Sequence, residues 1–134
     1  MHIPPNIPIY GDPAFRGDCP TETAEAVTFF NAIRRTKWGA LAIHVKNEGR
    51  RNARQAAWDK AQGLVTGAAD IIIPGAPSFV CELKRQDRTK SRISKEQVAY
   101  LEAAQSAGAF VCVALGWQAA MEAVNDWSRL VRGE

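Results

Sequence analysis

Residues Gly63–Lys84 read GLVTGAADIIIPGAPSFVCELK, and the fold turns on how this stretch is paired. Ile71–Ile73 is a β-branched run, and Phe79–Leu83 is a second apolar segment. The cluster Pro74-Gly75-Ala76-Pro77 between them supplies a turn, so a β-hairpin is predicted. Strand alternation puts Glu82 and Lys84 on one face, with Cys81 and Leu83 on the other. If Ile73 lies opposite Phe79, the same register sets Asp70 opposite Glu82. Like charges directly opposite each other destabilise a ladder. Two acids and a lysine in otherwise apolar strands therefore need a reason, and a divalent cation between the acids supplies one. The plain alternative is a surface hairpin with an incidental Glu82–Lys84 ion pair, of a kind worth about 0–1 kcal/mol.

The rest of the chain bounds what this hairpin can belong to. A length of 134 residues suits one domain with a modest core, and 46% apolar with 23% charged residues is ordinary for a globular protein. No apolar run is long enough to span a bilayer. The N-terminus lacks the basic-then-apolar pattern of a signal peptide, so a cytoplasmic protein is expected, with no membrane partner. Cys19, Cys81 and Cys112 lack metal-like spacing and read as buried reduced thiols. The net charge of +3 is small, but 14 of the 17 Lys and Arg residues lie between Arg34 and Lys95. That concentration points to a polyanion partner. A phosphate-binding P-loop and a dinucleotide fingerprint are both absent, which argues against nucleotide-driven chemistry.

Residues 1–20 carry five of the seven prolines and little periodicity. They are expected to form an extended arm that wanders or packs on a neighbouring subunit, ahead of a single domain over residues 21–134. A first helix is predicted from Glu22 to Arg35 with Thr21 as its cap, burying Ala26, Phe29, Phe30 and Ile33. Glu22 sits at the edge of that stripe, and an acid in a first turn also suits the helix dipole. Ala40–Val45 reads as a strand. His44 within it reads as a structural histidine, since the only other histidine is His2. Asn47-Glu48-Gly49 leads into a helix ending near Gly63. Arg50, Arg51 and Arg54 cluster at its start, where they oppose the dipole, and phosphate is the natural partner for charge so placed. After the hairpin, Arg85, Arg88, Lys90 and Arg92 form a basic loop suited to gripping a DNA backbone. Ser94 and Gln97 form a capping-box pattern opening a helix that stops at Gly108. Ala109–Leu115 reads as an interior strand. A last helix carries Trp117, Ala120, Met121, Val124, Trp127 and Val131 as a core or dimer stripe. The order α-β-α-β-β-α-β-α predicts a mixed β-sheet flanked by helices, an α/β fold.

Asp70, followed on the next strand by Glu82-Leu83-Lys84, resembles the motif of the PD-(D/E)XK nuclease superfamily. Within it, the chain resembles the small VRR-NUC nucleases common in phages. The Asn47-Glu48-Gly49 turn, Gly63 and Gly67 before the acid, the basic linker, Gln97 and the apolar strand after Gly108 extend the likeness over roughly Glu22 to Trp127. One departure is Ala69, where the family usually carries proline.

The resemblance implies a restriction-endonuclease-like core and a metal-dependent DNA endonuclease. Mg²⁺ or Mn²⁺ would be held by Asp70, Glu82, the Leu83 carbonyl and Glu22. Glu22 fits that last place better than Glu25, with Glu48 a further alternative. Lys84 and Gln97 would complete the catalytic set of Asp70, Glu82 and Glu22, with Tyr100 near the same face. Related nucleases include junction resolvases and repair enzymes, so selectivity for branched or nicked DNA is compatible with it. Two symmetric nicks would require a homodimer. If the chain is phage-encoded, it would act in the cytoplasm of a bacterial host. The rival reading is a nucleic-acid-binding module on a nuclease-like scaffold that has lost catalysis. Clustered carboxylates argue against that rival, since without a cation they would repel phosphate.

Overall fold

The computed structural model describes residues 1–45 and 52–131. Its elements are β1 (Ile9–Tyr10), α1 (Glu22–Ile33), β2 (Ile43–His44), α2 (Ala53–Ala61), β3 (Ile71–Ile73) and β4 (Phe79–Lys84). A 3₁₀ turn (Arg88–Lys90), α3 (Lys95–Ser106), β5 (Phe110–Leu115) and α4 (Trp117–Val131) follow. This is the expected order with one strand, β1, added in front.

The hairpin closes in the register anticipated for it, pairing Ile73 with Phe79, Ile72 with Val80 and Ile71 with Cys81. One step further along the same ladder, Asp70 faces Glu82. The indole of Trp127 donates to the Pro77 carbonyl at 2.7 Å and holds the turn onto α4. Gly75 is required at that contact, because a Cβ there would sit 2.9 Å from the Trp127 ring. β4 then pairs in parallel with β5, from Phe79–Phe110 to Lys84–Leu115. A parallel return needs a crossover, and α3 supplies it. The five-stranded sheet runs in the order β1-β5-β4-β3-β2.

Each face of the sheet carries its own core. Phe79, Cys81 and Leu83 of β4 join Phe29 and Ile33 of α1 and Ala120, Val124 and Trp127 of α4. On the opposite face Val80, Val111, Val113 and Leu115 pack with Leu101 of α3. Pleating places Glu82 and Lys84 on the α3 side, with the residues that carry Gln97. Cys81 and Cys112 are directly paired across β4 and β5, fully buried and unoxidised, whereas Cys19 is half-exposed.

Three sequence expectations change. The strand expected over Ala40–Val45 shrinks to Ile43–His44. Upstream of it the chain turns, because the Trp38 carbonyl accepts from both Leu41 and Ala42 N–H. His44 is exposed and lies against the Phe30 ring. The first helix stops at Ile33 rather than Arg35, where the Thr36 hydroxyl takes the Ile33 carbonyl. Finally, the proline-rich arm packs on its own chain: Ile9 and Tyr10 pair with Val113 and Ala114 at the sheet edge, and Ile7 is buried. The Tyr10 hydroxyl donates to Asp126 of α4 at 2.6 Å. No described helix is long and apolar enough to cross a membrane.

Candidate active site

Glu82 is the centre of the site. Its side chain is fully buried on β4, and its Oε2 has no hydrogen-bond partner. Burying a carboxylate without partners is costly, so the site favours either a bound proton or a cation. Burial first, then the neighbouring carboxyl of Asp70, push the Glu82 carboxyl from 4.5 up to about 10. Lys84 pulls the other way, and Glu22 adds to the rise. Without a cation the acid pair therefore holds a proton at neutral pH.

Asp70 is half-buried where the approach from Gly67 meets β3. Its Oδ2 accepts the Leu83 N–H at 2.9 Å. In an extended strand the N–H and C=O of one residue point to the same side. The Leu83 carbonyl is therefore directed to the Asp70 side of β4, while the Lys84 carbonyl accepts from Gly116 on the other. Lys84 is 3% exposed. Its ammonium donates to the Arg92 carbonyl and to Gln97 Oε1, and lies 3.9 Å from Glu82 Oε1. Gln97 is shared by two tasks. Its amide reaches Glu82 Oε1 at 3.3 Å, while its Oε1 accepts the Ser94 N–H at 2.8 Å in a complete capping box. Tyr100, by contrast, packs half-buried on the α3-side core.

The two candidate helical acids separate cleanly. Glu22 Oε2 accepts from the Ser91 hydroxyl at 2.9 Å, and its charge is felt at Glu82. Glu25 is fully buried and engaged elsewhere, accepting the Trp117 N–H at 3.1 Å and the Gln86 amide at 3.0 Å. It caps α4, which begins after Gly116 without a local Ser, Thr, Asp or Asn. That missing cap is the signal that could have assigned Glu25 from sequence. Ser91 carried no such signal. Glu48, with Asn47, Arg50 and Arg51, lies outside the described residues.

The residues fit a hard divalent cation. A buried carboxylate oxygen without a partner, a second carboxylate opposite it and a nearby main-chain carbonyl form an all-oxygen donor set. Among the described residues no group of three or more His, Cys, Asp or Glu converges at metal-ligand spacing. Two carboxylates suit an ion such as Mg²⁺ that keeps several waters.

The basic residues fall into two sets. Arg54 is exposed on α2, and Arg92 is exposed beside Gly67, Ser94 and Gln97, around a cavity of about 300 Å³. Arg85, Arg88 and Lys90 all donate to main-chain carbonyls of the arm: Pro20 and Cys19, Met1, and Gly17 respectively. Gly67 itself is required, with φ +81 and a would-be Cβ 2.5 Å from the Glu96 carbonyl carbon.

The result is a mixed sheet flanked by helices, with Asp70 and Glu82 facing each other where antiparallel strands meet and a helical crossover after Lys84. Among solved structures, one described as a "VRR_NUC domain protein" superposes with a TM-score of 0.70 over 87% of this chain and 93% of its own, at 22% identity. That likeness shows the fold this chain adopts. No family model and no curated protein matches the chain.

Proposed function

We propose that the protein is a Mg²⁺- or Mn²⁺-dependent deoxyribonuclease that hydrolyses internal phosphodiester bonds. The observation that carries this reading is the buried, partnerless Oε2 of Glu82 opposite Asp70, with the Lys84 ammonium beside it. A purely structural hairpin has no use for that arrangement. Asp70, Glu82 and the Leu83 carbonyl would hold the cation, with Glu22, fixed by the Ser91 hydroxyl, adding negative charge nearby. Bound there, it supplies Lewis-acid polarisation of the scissile phosphate and a more acidic water. Lys84 orients the attacking water and offsets charge that builds on the oxygens of the pentacovalent phosphate. Gln97 keeps Glu82 and Lys84 in mutual register. Arg54 and Arg92, with Arg50 and Arg51, bring the DNA backbone to the site. Cutting of branched or nicked DNA, paired across a homodimer, extends the same reading.

The test is cleavage of plasmid, linear and four-way-junction DNA with Mg²⁺, Mn²⁺ or EDTA, beside Asp70→Ala and Lys84→Ala. Cation-dependent cutting lost in both variants is expected, and comparison of the substrates reads the shape preference. DNA binding without cutting under any condition would leave a binding module in place of an enzyme. A monomer at all concentrations, with and without DNA, would remove the paired nicks.

A further inference from the structure

The basic loop after β4 looks like a phosphate grip in sequence, but most of its charge is engaged within the molecule. Arg85 Nε donates to the Pro20 carbonyl at 2.9 Å and Nη2 to the Cys19 carbonyl at 2.8 Å. Lys90 Nζ donates to the Gly17 carbonyl at 2.9 Å, and the Gly17 N–H returns a bond to Asp87 Oδ2 at 3.0 Å. The loop is thus tied to the arm by side chains from both of its ends. What it carries matters more. The Arg85 N–H donates to Ser91 Oγ at 3.0 Å, Ser91 donates to Glu22 Oε2, and the next residue's carbonyl receives the Lys84 ammonium. Two groups of the candidate active site are therefore held by the loop that the arm holds.

We infer that Arg85 is a positioning residue of the active site: with Asp87 and Lys90 it fastens the arm to the loop whose Ser91 hydroxyl and Arg92 carbonyl set Glu22 and Lys84. The Nε/Nη2 edge that would grip a phosphate with two parallel bonds is occupied by carbonyls. Removing it leaves the loop free to shift, and Lys84 and Glu22 shift with it. A displacement of about 1 Å at reacting groups costs up to about 100-fold in rate. Arg92 is the contrast: its side chain is exposed with no hydrogen-bond partner among the described residues, while its carbonyl does the holding.

The inference rests on the nuclease reading for its effect on rate, but its structural content is measurable without activity. Arg85→Ala, Arg85→Lys, Ser91→Ala and Arg92→Ala would be compared with wild type for kcat, KM and the salt dependence of DNA affinity. Hydrogen exchange of the amides of residues 85–91 would be followed in parallel. In Arg85→Ala, kcat should fall between ~10- and ~100-fold with KM and salt slope unchanged, and the loop amides should lose protection. Arg85→Lys, able to reach one carbonyl, should recover part of the rate, and Ser91→Ala should share the loss. Arg92→Ala should instead raise KM and reduce the salt slope by about one unit. If Arg85→Ala does the same while kcat holds, Arg85 is a phosphate ligand and the inference is overturned. If Arg85→Ala does not fold, Arg85→Lys and Ser91→Ala decide by the same readouts. Should wild type cut no DNA, the nuclease reading falls by itself. Hydrogen exchange then decides alone, and unchanged protection of the loop in Arg85→Ala overturns the inference.

Discussion

Replacing Glu82 by glutamine should stabilise the cation-free protein at neutral pH while destroying its capacity to bind a divalent ion. Glu82 titrates near 4.5 when unperturbed and at about 10 in the fold, chiefly through burial. A carboxyl whose pKa is raised by folding contributes stability that is fully present below the unfolded value and lost as pH rises through the folded one. Between roughly pH 4.5 and 10 the native state therefore holds about one more proton than the unfolded chain at this position. Each pH unit in that window lowers unfolding free energy by about 1.4 kcal/mol, or about 3 kcal/mol by pH 7. Glutamine has no proton to lose, so Glu82→Gln should be flat where wild type declines. Urea melts from pH 5 to 9 in EDTA measure this through the midpoint at constant m. Adding Mn²⁺ should stabilise wild type increasingly as pH rises, because the ion replaces the proton, and should leave Glu82→Gln unmoved. Asp87 does not confuse the window. Its carboxyl is held down to about 2 by the Thr89 hydroxyl and the Gly17 N–H, so its contribution is lost only in acid below the unperturbed 3.8. Parallel pH–stability curves for wild type and Glu82→Gln in EDTA would refute the reasoning.

Three further outcomes follow from the same contacts. Gln97→Ala should cost about 1 kcal/mol through the lost half of the capping box, and should lower kcat by about tenfold or more; Gln97→Glu should recover the helix stability but not the rate, since it sets a third carboxylate beside Glu82. Gly67→Ala should destabilise by about 1–3 kcal/mol in a thermal or urea melt, because the added carbon meets the Glu96 backbone at 2.5 Å and positive φ is retained at that turn. Trp127→Ala should cost about 3–5 kcal/mol, whereas Trp58→Ala, 64% exposed on α2, should stay within about 0.5 kcal/mol in the same melts.

What was legible in the sequence was local. The β-branched run, the Pro-Gly turn and the alternation of β4 were enough to anticipate the Asp70–Glu82 register and the shared face of Glu82 and Lys84. Ser94 and Gln97 announced a helix start by their spacing alone. The arm was not legible, because Ile7, Ile9 and Tyr10 find their partners in β5 and α4, about a hundred residues away. A proline-rich stretch carries no periodicity that would name them. The contacts of Ser91, Arg85 and Glu25 were not legible for a related reason. Their partners are a distant carboxylate, two distant carbonyls and a helix terminus, and main-chain groups leave no residue type to search for. A basic loop reads the same whether its charges face phosphate or backbone carbonyls, so the arm contacts of Arg85 and Lys90 left no mark in the sequence. The short β2 reflects competition, since the Trp38 carbonyl captured Leu41 and Ala42 before the strand could begin.

The neighbouring thiols of Cys81 and Cys112 make the protein its own stopwatch. Neither sulfur is reachable by an alkylating reagent while β4 and β5 stay paired, yet half-exposed Cys19 reacts without that opening. In excess reagent Cys19 is blocked first, and the later, joint disappearance of the other two thiols counts openings of the central sheet. A cation seated between Asp70 and Glu82, one residue along β4, should slow that clock without touching either cysteine.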